Sequence, residues 1–173
     1  MRRRIIFRVI TSILLCIVAG TAQAQDQERL TEVDLRVKGV GLGSSYAQML
    51  RQLGRPISSR REKIDDETCG PKHTLLTVKY KGVVIELVGD PRGRDFKVVS
   101  FEITSPQLLM TPGIKLGMSE LDARSKIGGE PWQVQNDSGF QILNYVTKGN
   151  DGGVSLYFRN DRLVKIQWAY TAC

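Results

Sequence analysis

Histidine is almost missing from this chain: His73 stands alone among 173 residues. Its scarcity removes the usual general acid–base group at neutral pH and most imidazole metal ligation. Cysteine is sparse too, with only Cys16, Cys69 and Cys173, and no metal-ligand spacing can be written from them. No glycine loop suited to phosphate occurs, because the glycines of 149–153 lie between strand-like runs and read as hairpin chemistry. His73 near Cys69 would act as a nucleophilic pair only with a free thiolate and an orienting group. Asp65, Asp66 and Glu67 form an acidic run in a polar stretch, the pattern of a solvated loop. The chain is therefore expected to be no enzyme and to hold no cofactor or metal.

Long apolar runs are absent as well, with one exception. Arg2, Arg3, Arg4 and Arg8 precede the apolar stretch Val9–Gly20, and Ala22-Gln23-Ala24 follows. A basic start, a short apolar run and a small-x-small site make a secretory leader cut between Ala24 and Gln25. Twelve residues rise about 18 Å as a helix, short of the roughly 30 Å hydrocarbon core. Leu15 before Cys16 is too bulky for an acylation signal. The mature chain is thus expected in the periplasm or secreted, without a membrane span. The leader also carries much of the charge. The whole chain is +7, and residues 25–173 keep 21 Lys and Arg against 18 acids, a net +3. That is an ordinary solvated surface and offers no case for nucleic acid.

Two cysteines remain after cleavage, and an even count in an oxidising compartment predicts one bridge, Cys69–Cys173. It would close a loop of about 105 residues, worth ~4–5 kcal/mol by chain entropy.

The most informative pattern is internal. Residues 40–56 (VGLGSSYAQMLRQLGRP) and 114–131 (IKLGMSELDARSKIGGEP) align at an offset of 74. Gly43 matches Gly117, Gly54 matches Gly128, and Pro56 and Pro131 follow. Ser45 with Gln48, and Ser119 with Asp122, supply a hydroxyl N-cap and a polar N3 side chain. Gly54 and Gly128 fall where a left-handed C-cap wants glycine. Each copy should open with a helix of about nine residues. Tyr46, Met49, Leu50 and Leu53 give the first an apolar face. Leu121, Ala123 and Ile127 give the second a poorer one, with Arg124 where Leu50 stands.

Three strand-like runs follow each helix: 75–80, 83–88 and 97–103, then 142–147, 154–158 and 163–168. The fold class expected is α+β, a tandem duplication. Each unit is a short helix followed by a three-stranded antiparallel meander, and the two meanders can join into one curved sheet. The expected divisions are a leader at 1–24, a polar segment at 25–36, unit one at 37–104 and unit two at 105–173. Val33, Leu35 and Val37 alternate as an added strand would, and 58–73 is a charged insertion.

Alternation puts Val99, Phe101 and Ile103, with Val164, Ile166 and Trp168, on the helix side. The opposite face then carries Ser100, Glu102, Val84, Glu86 and Val88 in the first copy. In the second it carries Val146, Tyr157, Lys165 and Gln167. An amphipathic tyrosine among short polar and apolar side chains suits a protein interface. Tyr157, Lys165, Gln167, Val146 and Glu86 are the candidate binding surface, provided no helix or N-terminal strand covers them. Trp168 reads as core, and Trp132 is open to either reading.

With the Gly-x-Ser openings (Gly43, Ser45; Gly117, Ser119), the glycines 11 positions later and the closing LYFRNDRLVKIQW in view, residues 36–173 resemble the β-lactamase inhibitor protein family. That fold is a pair of helix-plus-meander units, similar to the small outer-membrane assembly lipoproteins (SmpA/OmlA). The resemblance implies a fold and a binding role, and it transfers no inhibitory residue. The inhibitor family keeps two disulfides, each inside one unit, whereas the bridge expected here joins the units. The implied function is an exported, non-enzymatic protein-binding module, an inhibitor of a wall-active or antibiotic-degrading hydrolase. The alternatives are a structural component of outer-envelope assembly and an envelope-polymer binder.

Overall fold

A computed structural model describes residues 35–64, 72–146 and 152–170. The leader, the acidic run 65–67, Cys69 and Cys173 lie outside the described residues, so the expected bridge does too.

The chain is α+β. Helix α1 (Tyr46–Leu53) precedes β1 (Ser58–Ile64), β2 (His73–Tyr80), β3 (Val83–Gly89) and β4 (Lys97–Ile103). Helix α2 (Glu120–Ile127) precedes β5 (Gln133–Asp137), β6 (Phe140–Val146), β7 (Gly152–Arg159) and β8 (Arg162–Tyr170). All eight strands form one antiparallel sheet in the order β1-β2-β3-β4-β8-β7-β6-β5. The two runs of four meet at β4 and β8 and count outward from there.

Both helices start and stop where the sequence says. Ser45 Oγ accepts from Gln48 N at 3.2 Å, and Ser119 Oγ from Asp122 N at 3.1 Å. Gly54 (φ 79°) and Gly128 (φ 74°) then cap the C-termini, and each capping N–H satisfies a last-turn carbonyl that would otherwise be orphaned. Met49 is buried, and Tyr46, Leu50 and Leu53 pack part-buried against the same core. In α2 only Ala123 and Ile127 are buried, and Leu121 is 77% exposed. Arg124 instead bridges Glu120 at 2.9 Å and Glu130 at 3.0 Å, so the second helix turns a polar side outward where the first carries leucine.

Each half has four strands after its helix, not three. The added strands are the outermost ones. β1 was expected as part of a charged insertion, and β5 was not expected. Strand β1 is built of SSRREKI and β5 of QVQND. An edge strand with no buried face has no reason to alternate, so periodicity cannot reveal it. Leu35 and Val37 are buried, but Val37 makes only isolated bridges to Val40 and Met110 and no regular strand.

The inner strands correct the phase of two predicted faces. Between Glu86↔Ser100 and Leu87↔Val98 one residue is extra, Val99. Between Tyr157↔Lys165 and Phe158↔Leu163 the extra residue is Val164. Each β-bulge flips the alternation by one. Val98 and Leu163 are therefore the buried residues, while Val99 is half-buried and Val164 exposed. Both bulges turn a backbone pair toward the segment leading into a helix. Val98 N donates to Ser44 O at 2.9 Å and Val98 O accepts from Gly43 N at 2.8 Å. Leu163 N donates to Met118 O at 2.8 Å and Leu163 O accepts from Gly117 N at 2.7 Å. An equivalent pair of bonds thus docks each helix onto its own last strand.

One hydrophobic core lies under both halves on the helix face. Across the β4–β8 junction Phe101 faces Trp168 in register, with rings stacked at 5.3 Å and 12°. Such a pair contributes about 0.5–1.5 kcal/mol beyond its buried area. Trp168 is core, as expected, and Trp132 is 54% exposed.

Candidate functional site: the open face of the sheet

The side of the sheet away from the helices is where sequence alternation placed the candidate surface. Among the described residues no helix or strand lies across it. Val84, Glu86, Val88, Ser100, Glu102, Ser155, Tyr157, Lys165 and Gln167 all keep partial exposure. Val146 does too, opposite Gly153 toward the far end of β6. Ile142 is the buried exception, opposite Tyr157.

Three of the five predicted residues fall into two hydrogen-bonded groups at the centre, Lys165 joins one of them through the Tyr157 ring, and Val146 lies apart. Tyr157 Oη donates to Gln167 Oε1, and Gln167 Nε2 donates to Glu102 Oε2 at 2.9 Å. This relay crosses the β4–β8 junction, because Glu102 and Gln167 are register partners. It is therefore complete only when the two halves are paired. Lys165 Nζ lies 3.8 Å from the centroid of the Tyr157 ring, a cation–π contact that holds both side chains. In the second group Ser100 Oγ donates to Glu86 Oε2 at 2.7 Å. Nearby, Ser155 Oγ donates to Asn144 Oδ1 at 2.6 Å.

An aromatic and basic flank adjoins Tyr157. Phe140 meets its ring edge-to-face at 6.0 Å, and the Arg159 guanidinium lies 4.3 Å over the Phe140 ring. Burial raises the Tyr157 pKa, and the negative charges of Glu102 and Asp137 push it the same way. The phenol thus stays a neutral donor to Gln167 well into alkaline solution.

Sequence reasoning put Ser100 and Glu102 on this face but did not single them out, and it missed Phe140 and Arg159. Phe140 had a signal. Extending the alternation of 142, 144 and 146 two residues back puts it on the same face. Glu102 had none, because its importance comes from pairing with Gln167, a contact between residues 65 positions apart.

His73 opens β2 opposite Ile64, six residues along the strand from Lys79, or about 20 Å at strand rise. Among the described residues no three His, Cys, Asp or Glu side chains group as metal ligands. No described helix is long and apolar enough to cross a membrane.

No family model matches the chain, and no curated protein matches it. Among solved structures, a Streptococcus mutans protein provisionally named a β-lactamase inhibitor protein aligns over 72% of this chain and 82% of its own, at 22% identity and a TM-score of 0.28.

Proposed function

We propose that the chain is an exported, non-enzymatic binding module that docks a folded protein on the open face of its sheet. The observation that carries this reading is the Tyr157–Gln167–Glu102 relay, held in one arrangement on a face no described element covers. A polar constellation fixed before binding loses little side-chain entropy when a partner arrives. Tyrosine on such a surface supplies contact area at low entropic cost. The secretory leader pattern supports a location outside the cytoplasm, in the periplasm or secreted. There the sequence resemblance to the β-lactamase inhibitor family favours a soluble wall-active or antibiotic-degrading hydrolase as partner.

We also read the chain as a tandem duplication with units at 37–104 and 105–173. Three matches support it: the paired serine and glycine caps, the bulges at Val99 and Val164, and the equivalent pair of bonds that docks each helix.

The test is capture from envelope extract with the wild-type protein and with Tyr157→Ala. A soluble hydrolase retained by the first and lost by the second is the expected result. Capture unchanged by Tyr157→Ala would remove the open face from the reading. A stoichiometric outer-membrane complex would favour the envelope-assembly role instead.

A further inference from the structure

The chemistry of the docked residue can be read from the charges at the centre of the face, and this step rests on the docking reading above. An open depression of about 490 Å³ spans β2, β3, β4, β8 and β7. Its polar lining is Lys79, Glu86, Ser100, Glu102, Ser155 and Gln167. Glu86 and Glu102 are diagonal neighbours on adjacent strands, because Glu86 pairs with Ser100 and Glu102 with Val84. Diagonal positions lie about 7–8 Å apart, within reach of one long side chain set between them.

Both carboxylates are held by neutral donors only, Glu86 by the Ser100 hydroxyl and Glu102 by the Gln167 amide. Among the described residues neither makes an ion pair. Lys165, two residues from Gln167, lies on the Tyr157 ring. Lys79 lines the depression opposite Val84 but ion-pairs neither carboxylate. Water therefore supplies most of the remaining solvation, and one lysine cannot neutralise two negative charges. A partner that covers the depression strips that water, and two desolvated carboxylates with one neutral bond each are strongly unfavourable. A neutral or acidic surface is rejected on those grounds, while a partner carrying its own cation is selected.

We propose that this face docks a basic side chain of the partner protein, an arginine best of all, between Glu86 and Glu102. The guanidinium fork can bond two carboxylates at once, which a lysine ammonium does less well. Tyr157 and Gln167 act as positioning residues, since they hold Glu102 in place.

The test titrates the intact 15N-labelled protein with N-acetyl-arginine methylamide and, at equal ionic strength, with its neutral citrulline isostere. Arginine should give saturable shifts centred on Glu86, Ser100, Glu102 and Gln167. Citrulline should bind about tenfold more weakly or worse. The Glu86→Gln/Glu102→Gln variant keeps oxygens that accept the same two bonds, so its melting temperature should hold while the shifts vanish. No saturable shift on this face, equal binding of citrulline, or binding that survives the double variant would each overturn the proposal. A partner lost with Tyr157→Ala but indifferent to the double variant would remove the cation and leave the docking face standing. Fragment binding that is intact while no captured partner depends on Tyr157 would do the reverse.

Discussion

Gly82 and Gly54 share a φ of +79°, and only Gly82 meets a neighbour, so a steric cost can be sought by comparing them. Gly54, with ψ −160°, sits in a region nearly confined to glycine that costs an L side chain about 1–3 kcal/mol. At Gly54 an added methyl would meet nothing within 4 Å, so Gly54→Ala should cost that backbone penalty and no more. At Gly82 the added carbon would sit 2.0 Å from Ser105 Cβ and 3.0 Å from Ser105 Cα and Oγ. Backbone on both sides is pinned, because Thr104 N donates to Gly82 O at 2.9 Å. Forced overpacking adds typically 1–3 kcal/mol to the roughly 1–2 kcal/mol that a left-handed backbone costs an L side chain, which puts Gly82→Ala at about 2–5 kcal/mol. Urea unfolding should show both variants with an unchanged slope and a lowered midpoint. Adding Ser105→Gly removes the carbon at 2.0 Å and should recover most of the steric part, a coupling of about 1–2 kcal/mol. No rescue of Gly82→Ala by Ser105→Gly would mean that the β2–β3 turn does not pack on Ser105 and that this reasoning fails.

Tyr145 supplies a pH test. It is buried, its hydroxyl has no hydrogen-bond partner, and burial pushes its pKa to about 12, with Arg124 pulling the other way. A raised folded pKa means stability present below about pH 10 and lost as pH climbs toward 12. Two pKa units set a ceiling of about 2.7 kcal/mol, and water screening near the core edge brings the expected loss to about 1–2 kcal/mol. Tyr145→Phe should be neutral to about 1 kcal/mol stabilising at pH 7 and should flatten the alkaline decline; urea midpoints at pH 7 and 11.5 check both. Gln167→Leu severs the relay at two points, yet its neighbours remain water-accessible, so stability should change by less than about 1 kcal/mol. Partner affinity measured by calorimetry should fall about tenfold or more. Non-reducing peptide mapping of the secreted protein should find Cys69 joined to Cys173. Reduction should lower the melting temperature without abolishing the fold, and two free thiols would refute the bridge.

Helix limits were fully legible because serine and glycine caps act within four residues of sequence. The six inner strands were legible because each buries one face, so that Val83, Ile85 and Leu87 announce themselves by spacing alone. Strands β1 and β5 were hidden by the same logic, since neither buries a face. The bulges were hidden for another reason. Val99 and Val164 are as apolar as the residues they displace, and only the pull of the helix lead-in on Val98 and Leu163 decides which one turns inward. At the site, alternation identified the face and Tyr157, Gln167, Lys165 and Glu86 upon it. The relay itself depends on which strand lies beside β4, and nothing local in the sequence specifies that neighbour.

That neighbour has a consequence in time. Strand β4 leaves the ribosome roughly 60 residues before β8, about 3–12 s at ordinary synthesis rates. Throughout that interval the first meander can close from β1 to β4 while the backbone edge of β4 from Ser100 to Ile103 has no strand to bond. Strand β8, which emerges later, is the one that closes it. A chain halted before Arg162 would therefore present two unsealed strand edges, β4 and β7, each able to capture the other's counterpart in a second molecule. Chains stalled or clipped before β8 should accumulate as exchanged dimers, and an intact β8 should keep the protein from doing so.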